Sequence, residues 1–192
     1  DQSGNARDMS QATAANQPRI VFHGTGEKIN GKAAFTTDGA SQQLTSTAFD
    51  LKQPFTRCGA LQFTTIPSVV KGIFSDAATN GAILRVTTTG LLRMTTTPSD
   101  LYLKTGIPAG DKAVTVEVYN STATRGSYNG AVVTIPVSSK LLDVPITQTS
   151  IGKDAGGSAN VVVGEMIIFP QALSHSDRRT WEATAKQYWS TP

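Results

Sequence analysis

Five polar side chains on predicted strands are the residues of this sequence best suited to bind a ligand. They are Arg85, Arg93, Glu117, Tyr119 and Arg125. They are expected on wet faces of consecutive strands, as is Thr115, and would form one polar surface if those strands are neighbours in a sheet. A sugar site needs an aromatic face and bidentate donors to hydroxyl or carboxylate groups, which such a surface offers. The alternative, which alternation alone produces and which we favour, is a solvated sheet face with cross-strand charge pairs.

Hydrolysis of a glycan would require a second kind of constellation, a pair of carboxylates. A retaining glycosidase holds two of them about 5–5.5 Å apart, usually from acidic residues at even spacing on one strand. No predicted strand carries such a pair, and Glu117 and Glu165 are single acids on separate strands. We therefore predict that the protein is not an enzyme and that both acids are structural or solvent-facing.

A Ser-His-Asp relay is also suggested by residue types, because Ser174, His175, Ser176 and Asp177 are consecutive. All four fall in the first turn of a predicted helix, where adjacent side chains point apart and cannot form a hydrogen-bonded relay. Ser174 is instead expected to cap the helix, with Asp177 complementing the helix dipole. His23, alone in a strand-like stretch, is expected to be structural.

Metal binding has little support, because two histidines and one cysteine give no zinc-ligand spacing. Calcium would take oxygen ligands from loops. The acidic and amide side chains in predicted loops are Asp38, Asn80, Asp100, Asp111 and Asp154. Nothing in the sequence brings them together, so solvated turn residues are the expected role, with calcium as the alternative and no other cofactor predicted. Cys58 is expected to be a small buried residue and allows no internal disulfide.

Composition favours one β-domain over residues 1–192. A chain of 192 residues can bury a sizeable core. The net charge of +3 is scattered along the chain, which argues against a nucleic-acid partner. No apolar run approaches the roughly 20 residues that span a bilayer, so membrane insertion is not expected. The chain does not begin with Met, and we expect it to be part of a longer polypeptide.

The apolar pattern predicts strands followed by one helix. Apolar and polar residues alternate along residues 60–65, 83–87, 91–95 and 114–119, as in strands with one buried and one wet face. Asn30-Gly31 predicts a hairpin turn. Residues 161–169 are nearly all apolar, which predicts a central strand covered on both faces.

The period then changes to that of a helix at about residues 175–188, with Trp181, Ala185, Tyr188 and Trp189 on one face. The expected fold is therefore all-β, a two-sheet antiparallel sandwich with one short C-terminal helix.

Several segments together resemble the concanavalin A-like lectin/glucanase (laminin-G-like) superfamily. They are Asp-Gln-Ser-Gly-Asn at 1–5, the segments 12–18, 30–35 and 38–39, Ser-Tyr-Asn-Gly at 127–130, and the segments 151–152, 164–169 and 172–174. The resemblance covers almost the whole chain in family order and implies a jelly-roll of two stacked antiparallel sheets. Relatives usually have a strand before the first of these segments, so an open sheet edge is expected here.

The resemblance does not imply a single function, because sugar-binding modules, glycanases, adhesion domains and phage structural proteins share this fold. We expect a non-catalytic surface module of a phage virion, such as a tail fibre, receptor-binding or capsid-surface protein, with glycan binding as a further role. Its expected partners are other virion proteins, copies of itself and cell-surface glycans. The alternative is a carbohydrate-binding accessory module of a secreted bacterial protein.

Overall fold

The computed structural model describes residues 4, 7–76, 82–96, 99–134, 146–152 and 157–192. The strands in chain order are β1 Met9–Ser10, β2 Val21–Phe22, β3 Thr25–Gly26, β4 Lys28–Ile29, β5 Lys32–Ala33, β6 Phe35–Thr36, β7 Leu44–Ser46, β8 Phe55–Phe63, β9 Lys71–Asp76, β10 Ile83–Val86, β11 Leu92–Thr96, β12 Ser99–Lys104, β13 Lys112–Tyr119, β14 Arg125–Tyr128, β15 Ala131–Thr134, β16 Thr149–Ile151 and β17 Val161–Phe169. The single α-helix of this described part is α1, His175–Trp189, and two short 3-10 helices span Ala14–Asn16 and Ser121–Ala123.

Two antiparallel sheets account for most of the strands. The first sheet has seven strands in the order β1-β7-β16-β9-β10-β11-β12. The second has six, in the order β15-β14-β13-β8-β17-β6, and β2–β3 and β4–β5 form two small ribbons. The predicted two-sheet antiparallel sandwich with one C-terminal helix is therefore confirmed.

The largest apolar cluster fills the space between the two sheets. Phe55, Leu61 and Phe63 of β8 meet Phe74 of the first sheet there. Gly59 permits this close approach, because a Cβ atom at that position would lie 2.6 Å from the Phe74 ring. The absence of one side chain on β8 thus sets how closely the sheets pack.

A second apolar layer lies on the outer face of the second sheet, where α1 packs. Ala60, Val114 and Val162 contact Ala185 and Trp189 of the helix there. The neighbouring cluster consists of Cys58, Val116, Val118 and Leu173. The second sheet is therefore covered on both faces, whereas no helix in the described part of the chain covers the outer face of the first sheet.

A shift in the register of β17 makes room for the packing of α1. The register with β8 shifts between Val163 and Glu165, which leaves Gly164 as an extra residue. A Cβ atom on Gly164 would lie 2.6 Å from the Trp189 ring, so the glycine makes room for this tryptophan. The Trp189 indole N–H donates to Glu165 Oε1 at 2.9 Å. The prediction that β17 is covered throughout holds fully only for Val161–Val163, since its later residues are half-buried.

The start of α1 agrees with its predicted cap, while its buried face differs from the predicted one. Ser174 Oγ accepts from the Asp177 backbone N–H at 3.1 Å. Ala185 and Trp189 are buried as expected, but Trp181 is half-buried and Tyr188 is 51% exposed. The other buried helix residues are Arg178 and Glu182. These charged residues replace the expected aromatic ones because the sheet beneath them offers polar partners, such as the Ser127 hydroxyl for Glu182.

The hairpin turn predicted at residues 30–31 is confirmed, and a second Asn-Gly turn occurs at residues 129–130. Asn30 and Gly31 have φ of 50° and 75° and join β4 to β5. Asn129 and Gly130, with φ of 49° and 87°, join β14 to β15. Positive φ at both central residues is the requirement of a type I′ turn, which Asn-Gly meets at low steric cost.

The helix of the described chain is too short to cross a membrane.

Candidate functional site

The five predicted ligand-binding residues are divided between the two sheets. Arg85 lies on β10 and Arg93 on β11, both in the first sheet. Glu117 and Tyr119 lie on β13 and Arg125 on β14, in the second. The expectation that these residues share one polar surface is therefore wrong.

The exposure predicted for β13 is also wrong, because the side chains of Thr115, Glu117 and Tyr119 are fully buried. The alternate residues of this strand, Val114 among them, face outward and are covered by α1. The polar positions consequently point inward between the sheets. Arg125 of β14 is half-buried.

Glu117 and Tyr119 belong to a buried hydrogen-bonded cluster centred on Arg57 of β8. Arg57 Nε donates to Glu117 Oε1 at 3.1 Å, and its Nη2 donates to Glu117 Oε2 and, at 3.0 Å, to the Tyr119 hydroxyl. The Tyr119 hydroxyl in turn donates to Glu117 Oε2 at 2.8 Å. Arg57 Nη1 donates to the carbonyl oxygen of Ala82 at 3.1 Å, which links the second sheet to the first.

The electrostatics of this cluster favour a charged Arg57 and a protonated Tyr119. Burial alone would lower the pKa of Arg57, but the adjacent Glu117 carboxylate raises it above the ordinary value. Burial raises the pKa of Tyr119, and Arg57 opposes that shift only in part. Because all three side chains are inaccessible and bonded to one another, the cluster connects the sheets and offers no surface to a ligand. Arg57 was not predicted as a member of this cluster, although its place as the only charged residue of β8 was a usable signal.

The other two predicted residues are part of an accessible polar row. Arg85 pairs with Arg93 across β10 and β11, and Arg93 pairs with Tyr102 across β11 and β12. Paired residues of an antiparallel sheet share a face, and the alternating residues of these strands, such as Met94, point into the core. The three side chains, here called the Arg–Tyr row, therefore lie side by side on the outer face of the first sheet.

Two features give the Arg–Tyr row the chemistry of a polar ligand surface. Arg93 Nη1 donates to Asp100 Oδ2 at 2.7 Å, which orients the guanidinium group. Tyr102 is 51% exposed, so part of its ring is open to solvent. Tyr119 was predicted to be the aromatic member of this surface, whereas Tyr102 occupies that position. The alternation of Tyr102 with Leu101 and Leu103 was the signal that could have identified it.

In the described part of the chain, no three His, Cys, Asp or Glu side chains come together in a group that could hold a metal ion. Asp100 is paired with Arg93, and Asp111 accepts from the Tyr128 hydroxyl at 2.6 Å. Asn80 and Asp154 lie outside the described residues.

Asp38 has the role of a turn residue. Its Oδ1 accepts from the backbone N–H groups of Ala40, Ser41 and Gln42 at 2.8, 3.0 and 3.0 Å. Burial alone would raise the pKa of this carboxyl, but the backbone hydrogen bonds lower it below its ordinary value. The three contacts therefore stabilise the ionised form and order the turn.

The remaining reactive residue types lie at the start of α1, in the core and in a turn. Ser174 Oγ donates to Asp177 Oδ2 at 2.6 Å, while His175 Nδ1 faces Arg178 at 3.3 Å, so the two contacts do not form a relay. Cys58 is buried, as predicted, and burial raises the pKa of its thiol. His23 has φ of 47° and lies in the turn between β2 and β3.

Comparison with known proteins finds similarity in structure only. No protein-family model and no curated protein matches the sequence. The binding domain of botulinum neurotoxin serotype G has a TM-score of 0.68 at 11% identity, covering 100% of this chain and 51% of that one. The binding domain of botulinum neurotoxin DC, in complex with rat synaptotagmin II, gives 0.58 at 11% identity, covering 88% and 51%.

A sialidase from Trypanosoma rangeli in complex with the inhibitor DANA is a further similar structure. Its TM-score is 0.62 at 12% identity, and the match covers 78% of this chain and 27% of the sialidase. The chain thus spans about half the length of the toxin binding domains. At these identities the similarity concerns the fold, and it places this chain beside β-rich binding domains and a sialidase.

Proposed function

We propose that this chain is a non-catalytic carbohydrate-binding module of the concanavalin A-like jelly-roll type, with the Arg–Tyr row as its ligand surface. The observation that carries the proposal is the alignment of Arg85, Arg93 and Tyr102 on the sheet face that α1 leaves open. Such a row combines planar guanidinium donors with an exposed ring, which suits the hydroxyl groups and the apolar face of a pyranose.

The dimensions of the row favour an extended ligand. Neighbouring strands lie about 4.8 Å apart, so the row from β10 to β12 spans roughly 10 Å between its outer backbones. Arg93, oriented by Asp100, would donate to hydroxyl or carboxylate oxygens at the centre, while Tyr102 packs against the sugar ring at one end. Arg85 would contact the next unit along the chain of sugars.

Similar structures lend support to a glycan ligand. Cell entry of botulinum neurotoxin type C depends on its interaction with two ganglioside molecules. The binding domain of botulinum neurotoxin DC has been solved in complex with SialylT. The name of the Trypanosoma rangeli sialidase likewise indicates a sugar substrate. We infer a binding role without catalysis because both candidate acids already have structural partners. The Glu117 carboxylate accepts a hydrogen bond from Arg57, and the Glu165 carboxylate accepts one from Trp189.

We further propose that the chain forms one domain that serves as a repeated surface module of a phage virion, in a tail fibre, receptor-binding or capsid-surface protein. This part of the proposal rests on the sequence resemblance, and its alternative is an accessory module of a secreted bacterial protein. Antibodies against the chain should label intact virions in electron micrographs. Detection in the secreted fraction of a bacterial culture, with no labelling of particles, would favour the alternative.

Glycan binding is tested by displaying many copies of the protein on an array of glycans, since multivalency reveals weak sites. Tyr102→Ala and Arg93→Met should each weaken binding to the best glycan about tenfold, or ~1.4 kcal/mol. Tyr102→Phe, which keeps the ring, and Arg179→Met, on the exposed side of α1, should bind like the original protein. Absence of any bound glycan, or equal binding by all four variants, would reject the proposal.

A further inference from the structure

A groove on the opposite side of the sandwich from the Arg–Tyr row is independent of the function proposed above. It lies between the β4–β5 hairpin and the C-terminal half of α1, with a volume of about 420 Å³. Its lining residues are Asn30, Lys32, Thr184, Gln187 and Tyr188. These positions are exposed, so the groove is open to solvent.

The walls of the groove are held together from below. Ile29 of the hairpin and Trp189 of α1 are buried in the same apolar cluster. Asn30 Nδ2 donates to Ser190 Oγ at 2.6 Å, which ties the hairpin turn to the end of the helix. The groove is therefore formed before any ligand arrives, which reduces the entropy lost on binding.

The groove has an electropositive end with an aromatic wall. Lys32 Nζ lies 4.5 Å from the centroid of the Tyr188 ring. The ring is steadied by edge contact with Trp189, at 5.0 Å between centroids and 80° between planes. None of the five lining residues named above is acidic, so the groove favours an anion at this end.

The other lining groups are hydrogen-bonding side chains without a structural task. The side chains of Thr184 and Gln187 have no hydrogen-bond partner within the described part of the chain, and both are exposed. A hydroxyl and an amide beside a cation and a phenol ring match the hydroxyl groups, the carboxylate and the apolar face of an acidic sugar.

We propose that this groove is a second binding site, specific for a sugar unit that carries a carboxylate. Lys32 pairs with the carboxylate, Thr184 and Gln187 bind ring hydroxyls, and Tyr188 borders the sugar face. The hairpin offers a matched control for the cation, because Lys32 is paired with Ile29 and faces the helix, while Lys28 is paired with Ala33 on the other side of the ribbon.

The test uses the full chain with a hexamer of galacturonic acid as the acidic probe and maltohexaose as a neutral one of equal length. Amide NMR signals of Asn30 and Gln187 should shift with the acidic probe alone. By calorimetry, Lys32→Met should weaken acidic binding roughly tenfold, as expected for loss of a charge-assisted contact. Lys28→Met should leave it unchanged.

Two results would overturn the proposal. Equal weakening by Lys28→Met and Lys32→Met would show that positive charge in general attracts the acidic probe. Shifts confined to the Arg–Tyr row, abolished by Arg93→Met, would place the acidic sugar at the first site and leave the groove without a ligand. Failure of the first site would instead appear as loss of neutral and array binding while the Lys32 effect persists, so the two proposals are separable.

Discussion

Strands β11 and β13 alternate in the same way yet meet different surroundings. On β11, Met94 points into the core and Arg93 lies on the outer sheet face. On β13, Val116 is covered by the helix layer and Glu117 is buried between the sheets. The same pattern of apolar and polar residues thus produces a solvent-accessible polar face in one sheet and a charged core in the other.

The difference shows that the alternation of apolar and polar residues defines the two faces of a strand but does not say which face is exposed to solvent. The face of β13 that carries valine is covered by α1, which is more than fifty residues away in the sequence. With that face covered, its polar positions must lie between the sheets, where each charge needs a partner. Arg57 supplies the partner for Glu117 from β8.

Breaking the buried pair should have the largest effect. Arg57→Met leaves the Glu117 carboxylate without its partner in the core, so the free energy of unfolding should fall by about 3–5 kcal/mol. Urea unfolding followed by tryptophan fluorescence measures the change. The double variant Arg57→Met/Glu117→Leu should regain much of the loss, because an apolar pair removes the unpaired charge. A loss below about 1 kcal/mol in the single variant would contradict a structural role for this cluster.

Disturbing the cover over β13 should have the next largest effect. Gly164→Ala places a methyl group against the Trp189 ring, and such overpacking costs about 1–3 kcal/mol. Displacement of α1 should also speed the reaction of Cys58, which lies beneath the helix layer, with a thiol reagent. Gly26→Ala is the control, because a Cβ atom there meets only one atom, at 3.9 Å. Equal stability of the two variants would show that the helix does not depend on close contact at Gly164.

The Asp38 turn allows a surface charge to be compared with the buried ones. Asp38→Ala removes the acceptor of three backbone N–H groups and should cost about 1 kcal/mol, as loss of a cap does. The folded-state pKa of Asp38 is lowered, so its stabilisation is complete well above 3.8 and disappears as the pH falls through the lower folded value. The stability difference between the original protein and the variant should therefore shrink only in that acidic range. A difference that is constant down to pH 2 would contradict the assigned role of the ionised carboxylate.

The smallest effect on stability is expected on the open face. Arg93→Met breaks a partly exposed ion pair with Asp100, and such pairs contribute roughly 0.2–1 kcal/mol. Thermal unfolding should therefore barely distinguish this variant from the original protein, although its glycan binding should be weakened. A loss as large as that of Arg57→Met would mean that the Arg–Tyr row serves mainly to hold the first sheet together.

Local features of the fold could be predicted because short segments encode them. Asn30-Gly31 specified a hairpin turn, since few residue pairs adopt positive φ at two successive positions. Ser174 specified the start of α1, since its hydroxyl satisfies a backbone N–H group within the first turn. Neither inference required knowledge of what packs against the segment.

The candidate site could be predicted only in part, because strand order and register join residues that are distant in the sequence. Arg85 and Arg93 were identified by their alternation, but their alignment with Tyr102 depends on the pairing of three strands. The groove between the hairpin and α1 was not predicted at all, since Lys32 and Tyr188 meet only in the folded chain.

By itself, the sequence of this protein determined several of its strands, the Asn-Gly turn at residues 30–31 and the helix, because those depend on backbone preferences and side-chain periodicity over a few residues. The tertiary structure alone decided which strand faces are exposed to solvent. Burial of Glu117 depends on a helix that covers the opposite face of its strand and on Arg57, its partner on the adjacent strand. Charge is tolerated inside a fold only where such partners converge, and convergence is a property of the packed chain.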